Sequence, residues 1–432
     1  MSLLAACGSG EDAPPDERSI DVLMVNNPQM LELQKLTAAH FTKDTGIKVN
    51  FTTLPENDVR KRVQQDFAKQ SGRYDVATIS NFEARNYAQK GWLHSLDSYI
   101  RKDRGFDQSD IALPVQLSLS GADGKMYAEP FYGESSFLMY RKDVFEKAGL
   151  KMPAKPTWKQ VEKLAAQADG VEPGMKGICL RGQTGWGEMI APLTTVVNTF
   201  GGTWFDKDWN PRLTDPGFTD AAKFYVGLLR EHGESAPEKA GYAECLNTMQ
   251  RGKSAMWYDA TAGAGSLEAS ESPVKGKIGY VPAPVRKTDS SGWLYTWAWG
   301  MQKASHNTGS AWKFISWASG KGYERLVGGK VGWANVPAGK RESTYKNPDY
   351  QKAAKAFYKV SREAIRTADP RNPGVQQRPT LGIQFVGVPE FTDLGGKVSR
   401  ELNAAIAGKQ SVDAALRASQ RYAREVGFEY KR

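Results

Sequence analysis

Residues 20–79, IDVLMVNNPQMLELQKLTAAHFTKDTGIKVNFTTLPENDVRKRVQQDFAKQSGRYDVATI, switch back and forth between short apolar runs and a helical period. Residues 20–25 (IDVLMV) read as a strand. Asn27-Pro28 then supplies a helix N-cap and a first-turn proline. Met30, Leu33, Leu36 and Phe41 carry the apolar helical pattern, and Gly46 ends it. Residues 47–53 form a second strand, 56–70 a second helix and 74–79 a third strand. Strands alternating with helices imply a parallel sheet with helices on its faces, an α/β fold. Such a sheet binds ligands beyond the carboxyl ends of its strands. That rule points to Asn26 and Asn27 after the first strand, and to Asn81 and Glu83 after the third, as residues of one crevice. Asn27 can equally be a plain helix cap, and the two roles are compatible.

Outward from this stretch the chain stays α/β but grows richer in helix. Thr157-Trp158-Lys159-Gln160 is a capping-box start, and Gly170 stops that helix. Asp215-Pro216 opens another that Gly233 closes. The last two helices are separated by Gly408-Lys409-Gln410-Ser411, with Ser411 as the next N-cap. No repeats or heptads are present. The 432 residues suggest two or three lobes of ordinary size.

The amino terminus carries a different signal. Leu4-Ala5-Ala6-Cys7 reads as a lipobox, where a bacterial precursor is cut and Cys7 is lipidated. Residues 8–18 (GSGEDAPPDER) are small, polar and proline-containing, as expected of a disordered tether. The basic and apolar regions of a full signal peptide do not precede the cysteine, so a shortened or misassigned start is expected. No apolar run approaches the roughly 20 residues that span a bilayer. The lipid is therefore the only expected membrane attachment.

Charged residues make up 25% and hydrophobic ones 40%, ordinary for a globular chain. The net charge of +10 is spread along the sequence without a basic block, so nucleic acid is not an expected partner. With Cys7 lipidated, Cys179 and Cys245 remain, either as a disulfide or as two buried thiols.

Catalytic motifs are missing. There is no G-x-S-x-G elbow, P-loop or H-E-x-x-H. His40, His94, His232 and His306 are scattered without metal-ligand spacing, and Asp103, Asp107 and Asp110 do not match an EF-hand loop. No metal or cofactor is expected.

Aromatic residues instead stand beside hydrogen-bonding ones. The stretches are EPFYGESSFLMYR (residues 129–141), RGQTGWGE (181–188), MWYD (256–259) and WLYTWAW (293–299). Sugars and polyols need this mixture. Their C–H faces lie on rings, and their vicinal hydroxyls suit carboxylates and guanidinium groups. Trp312 and Trp317 fit a helical core pattern. Trp297 and Trp299 alternate on one strand face and fit pocket or core equally. Glu134, between Gly133 and Ser135 in an apolar stretch, points to a functional role. Arg181 and Asp259 can contact a ligand or form a structural ion pair.

At these stretches the chain resembles the extracellular solute-binding proteins of bacterial ABC sugar importers, from about residue 20 to the C-terminus. It is most similar to the branch that binds linear polyols such as mannitol and sorbitol. PFYGESSFLMYR (130–141), GWANVPAGKRESTY (332–345) and VPEFTDLG (388–395) carry the resemblance, with ELNAAIAGKQSVDAAL (401–416) as a more general mark. One feature departs: the branch often has a tryptophan in the helix after Glu83, where this chain has Asn86-Tyr87.

The resemblance implies a two-lobed, periplasmic-binding-protein-like fold of type II with the ligand cleft between the lobes. Residues 19–131 and 299–378 would form the N-terminal lobe, and 132–298 with 379–432 the C-terminal lobe. The chain would cross near 130–136, 296–300 and 380–388. Glu134, Arg181, Asp259 and Trp297 are implied as ligand contacts, with Asn26, Asn81, Glu83, Tyr132, Trp186 and Trp299 as further candidates. The implied partners are a polyol such as mannitol, sorbitol or xylitol, or a small sugar, and the permease subunits of an ABC importer. A monomer in the periplasm, or on the outer face of the cytoplasmic membrane, is expected. Aromatics with paired carboxylates also suit a secreted glycoside hydrolase, with Glu134 and Glu188 or Asp259 as acid and base.

Overall fold

The computed structural model describes residues 18–431. The lipobox cysteine Cys7 and nearly all of the tether lie outside them. Two sheets organise the chain. The first has five strands in the order β2-β1-β3-β8-β4: β1 (Ser19–Val25), β2 (Lys48–Leu54), β3 (Val76–Ser80), β4 (Ala128–Glu134) and β8 (Tyr295–Met301). β1 runs parallel to β2 and β3, as strand–helix alternation requires, and β8 runs antiparallel between β3 and β4. The second sheet has the order β6-β5-β7, from β5 (Ser136–Arg141), β6 (Met256–Ala260) and β7 (Ile278–Pro282). Strands β3, β4, β6 and β8 are buried along their whole length, so they read as continuous rather than alternating runs.

The helix signals hold in the structure. Asn27 caps the helix Pro28–Thr37 by accepting from the Met30 amide at 3.0 Å, and this helix runs on through a wide turn to Gly46, whose φ is 73°. Thr157 and Gln160 form the capping box of Trp158–Ala168. Ser411 caps Val412–Tyr430.

Ser135 alone separates β4 of the first sheet from β5 of the second. The return passage lies between β7 and β8, so residues 132–134 and 295–298 belong to the first sheet. Phe357 packs on Tyr280 of the second sheet, with ring centroids 5.6 Å apart. Residues 132–134 and 295–298, expected in the C-terminal lobe, pair within the first sheet.

Cys179 and Cys245 are bonded. Cys179 stands two residues before Arg181, and Cys245 lies in the helix that starts at Tyr242. The bond therefore ties together two segments that reach the cavity described below.

Candidate ligand-binding site

A cavity of about 380 Å³ opens between the two sheets, a size at the small end for small-molecule sites. The first lobe contributes Asn26 and Asn27 after β1, and Glu56, Asn57 and Asp58 at the start of the helix Glu56–Lys69 after β2. Both sets stand at carboxyl ends of parallel strands, where an open sheet leaves room for a ligand. The edge pair β4 and β8 contributes Tyr132, Glu134, Tyr295 and Trp297. From the second lobe come Arg181, Gln183, Glu188, Tyr242, Glu244 and Trp293, and Gln384 comes from the segment before the helix Phe391–Ile406.

A bulge aims the edge pair. The β4–β8 register shifts between Pro130 and Tyr132, so that Tyr132 opposes Trp297 and Glu134 opposes Tyr295. Directly opposed residues share a face. The extra residue therefore turns Tyr132 and Glu134 toward the face that carries Trp297 and Tyr295. Gly133 faces the other way and lies against Gly339.

Asn27 does two jobs. Its Oδ1 caps the helix, and its Nδ2 donates to the Tyr132 hydroxyl at 3.1 Å. Arg181 is held by a two-pronged pair with Asp259, Nη2 to Oδ1 at 2.6 Å and Nε to Oδ2 at 2.9 Å. Asp259 also accepts from Trp257 Nε1 and the Ala260 amide, which leaves it fully buried and fully engaged. Arg181 Nη1 donates to the Gly187 carbonyl at 3.2 Å and approaches Glu188 at 3.5 Å.

Glu134 is buried, and burial pushes its carboxyl well above the usual range, with Asp259 and Glu56 adding to the rise and Arg181 opposing it. Burial and the nearby Glu56 push Glu188 up to about 7 against the pull of Arg181. Near neutral pH Glu188 can thus donate as well as accept.

Behind the wall lies Arg60. It donates to Glu56 at 2.8 Å, to Glu83 at 2.9 Å and to the Tyr295 hydroxyl at 2.6 Å. Its guanidinium stacks between Trp186 at 4.1 Å and Trp297 at 4.9 Å. Trp186 belongs to the 181–188 loop of the second lobe, so this contact crosses between lobes. Asn57 Nδ2 donates to the Thr184 carbonyl at 3.0 Å nearby. A Cβ on Gly187 would meet Arg60 and Glu56 at 2.7 Å, so this loop comes close only because it carries glycine there.

Residues 26–325 match the family of bacterial extracellular solute-binding proteins. This chain belongs to that family. A mannitol-binding protein of Pseudomonas aeruginosa is 37% identical over 97% of this chain and 95% of its own length. The crystal structure of an ABC transporter solute-binding protein from Agrobacterium vitis with bound D-mannitol superposes with a TM-score of 0.92. It is 41% identical and is covered over 95% of this chain and 99% of that one. A solute-binding protein from Agrobacterium radiobacter in complex with ribitol shares the fold, with a TM-score of 0.83 at 23% identity over 96% and 100% of the two chains. The two-lobed solute-binding fold expected from the sequence is therefore the fold of this chain, and none of these likenesses favours a glycoside hydrolase.

In this solute-binding protein the cavity brings together Asn26, Asn27, Tyr132, Glu134, Arg181, Glu188 and Trp297 of the residues singled out from sequence. The others sit elsewhere. Asp259 lies one layer back, holding Arg181. Trp186 stands behind the wall on Arg60, packed with Phe82 and Phe385 at 5.2 and 5.1 Å. Glu83 closes a capping box with Ser80, accepting from its amide and its hydroxyl at 2.8 Å, and also pairs with Arg60. Asn81 accepts from the Thr296 amide. Trp299 shares a strand face with Trp297, but there Phe131 and Phe314 cover it at 5.3 and 5.4 Å.

Sequence reasoning missed Glu56, Asn57 and Asp58. The carboxyl-end rule reaches them once it is applied to β2 as well as to β1 and β3. Likewise the Ser80-x-x-Glu83 spacing could have assigned Glu83 to a cap. Tyr242 and Gln384 carry no local signal, whereas Tyr295 sits in the aromatic stretch 293–299, two residues from Trp297. Among the described residues no cluster of three or more histidine, cysteine or acidic side chains is placed to hold a metal ion, and no helix is long and apolar enough to cross a membrane.

Proposed function

We propose that this protein captures a linear polyol, mannitol first among candidates, or a small sugar, in the interlobe cavity and delivers it intact to an ABC importer. The observation that carries the reading is the cavity itself. Arg181 and Glu134 face aromatic walls from both lobes, in a fold closely matched by a mannitol-bound protein. Rings cover the C–H faces of an extended guest, while carboxyl and guanidinium groups replace the water lost by its hydroxyls. Arg181, Glu134 and Trp297 touch the guest, and Asp259 acts by holding Arg181. No bond is made or broken. Because both lobes supply contacts, a bound guest favours the closed arrangement, and permease subunits read that arrangement. The protein works outside the cytoplasmic membrane as a monomer, tethered through lipid on Cys7.

A thermal-shift screen tests this. Mannitol, sorbitol and xylitol are compared with pentoses, hexoses and disaccharides. A ligand at 100 times its Kd adds roughly 2.7 kcal/mol to the folded state, so a polyol should raise Tm by a few degrees. A rise with disaccharides alone contradicts the proposal.

A further inference from the structure

The cavity borders the carboxyl ends of the parallel strands β1 and β2, so the amino ends of β1, β2 and β3 form the opposite edge of the first sheet. Positive charge gathers at that opposite edge. Lys48 opens β2, and Lys43 lies in the helical turn just before it. Lys69 ends the helix Glu56–Lys69, and Arg73 stands three residues before β3. Lys90 follows the helix Asn81–Gln89 as its C-cap. Lys303 follows β8, whose Met301 pairs with Val76 at the start of β3. Two close approaches draw these turns together. The Lys303 amide donates to the Trp92 carbonyl at 2.8 Å. A Cβ on Gly72 would meet the Ala304 carbonyl oxygen at 3.1 Å.

All six basic side chains are exposed. Among the described residues none of the six forms an ion pair, and Arg73 and Lys90 lie over the rings of Tyr74 and Trp92. Two exposed acids, Asp21 and Asp44, share the edge. Asp66 and Asp75 are buried beneath it, where they accept from Gln302 and Ser305 at 2.7 and 2.6 Å. The outermost charges are therefore mostly positive. Arg18, which leads into β1, stands at the same edge, and its carbonyl accepts from the Lys48 amide at 2.7 Å.

We propose that this edge of the first lobe is a docking surface for anionic phospholipid. The contact is separate from the proposed lipid on Cys7 and from the guest. A lysine or arginine close to an anionic bilayer raises partitioning roughly fivefold, so a group of six is enough for reversible adsorption. Distance protects the binding site from the same field. β1 has seven residues, which at about 3.3 Å each hold the cavity roughly 20 Å from the lipid. The Debye length at physiological salt is only about 8 Å. The acidic residues of the cavity thus lie beyond the reach of the surface charge, and a docked protein keeps its binding edge away from the bilayer.

Vesicle flotation of the full chain tests this, with Cys7→Ser introduced so that no attached lipid contributes. The vesicles are equal parts phosphatidylglycerol and phosphatidylcholine, or phosphatidylcholine alone. The chain should float with the anionic vesicles at about 50 mM salt and be released at about 300 mM, where screening is stronger. Replacing Lys69, Lys90 and Lys303 together by glutamine should weaken binding roughly 100-fold. Replacing Lys151, Lys155 and Lys159, exposed on the second lobe, removes the same total charge and should leave binding nearly unchanged. Equal weakening by the two triple variants overturns the assignment of this edge, because net charge alone would then account for adsorption. Equal flotation with both kinds of vesicle, or none with either, overturns the proposal outright. The wild-type salt and lipid comparison stands whether or not a triple variant folds.

Discussion

At the scale of single residues, the charged groups of the cavity are pre-arranged by partners that do not line it. Asp259 holds Arg181 through two short contacts while spending its remaining acceptors on Trp257 and Ala260. Arg181→Ala and Asp259→Ala should each cost about 1.5–3 kcal/mol of mannitol affinity, as expected for hydrogen bonds to charged groups. Because the two act as one unit, the double variant should lose little more than Arg181→Ala alone. Calorimetry showing full additivity would contradict the positioning role of Asp259. A second prediction concerns pH. Burial pushes Glu129 up to about 8, and burial with Glu56 pushes Glu188 up to about 7. Both values lie above the roughly 4.3 of an unfolded chain. The unfolded state therefore loses these protons first as pH rises, and the stability they contribute is present below about pH 4.3 and lost between there and about pH 8. Urea unfolding without ligand should give lower stability at pH 8.5 than at pH 6, and Glu129→Gln should flatten that difference. Stability rising over this interval would contradict the assignment. Much of this scale was legible in the sequence for Asn26, Glu134, Arg181 and Trp297, whose neighbours mark them. Trp186 and Trp299 were not separable from Trp297, because an aromatic beside polar residues looks the same whether it meets a guest, a buried arginine or a core.

At the scale of elements, the strands and helices of the first lobe follow from local chemistry: an apolar run, a cap, a helical face and a glycine stop. The closing strand β8 does not. It lies far along the chain and inserts antiparallel between β3 and β4, a pairing set by tertiary packing. The bulge that aims Tyr132 and Glu134 is likewise invisible in the pattern, although Pro130, which lacks an N–H, sits where the register slips. Behind this edge the 332–345 segment straps the passage between lobes. The Gly133 amide donates to the Ala338 carbonyl at 3.0 Å. Gly339 has a φ of 86°, and a Cβ there would lie 1.8 Å from the Gly133 carbonyl oxygen. Gly339→Ala should therefore cost about 2–4 kcal/mol in urea unfolding, combining backbone strain with overpacking. Gly46→Ala is the control. Its φ is 73° with open space around it, so only the backbone cost of about 1 kcal/mol applies. Equal effects of the two substitutions would remove the strap from the account.

At the scale of the whole molecule, the lobes meet through contacts that assemble only when they are close. Arg60 of the first lobe sits on Trp186 of the second. Asn57 bonds to Thr184. Phe82, Phe385 and Trp186 form one aromatic cluster. The 181–188 loop thus holds both a cavity-lining residue, Arg181, and the residues that dock on the opposite lobe, so the proposed capture would couple occupancy to closure. None of these cross-lobe pairs is readable from spacing, since their partners are more than a hundred residues apart. The resemblance to solute-binding proteins supplied the two-lobed plan, and strand pairing places residues 132–134 and 295–298 in the first sheet. The most direct test of the clamp is small-angle X-ray scattering of the full chain with and without saturating mannitol. The account predicts a smaller radius of gyration with mannitol, and a reduced contraction in Trp186→Ala. Mannitol bound at saturation with an unchanged scattering profile would contradict it.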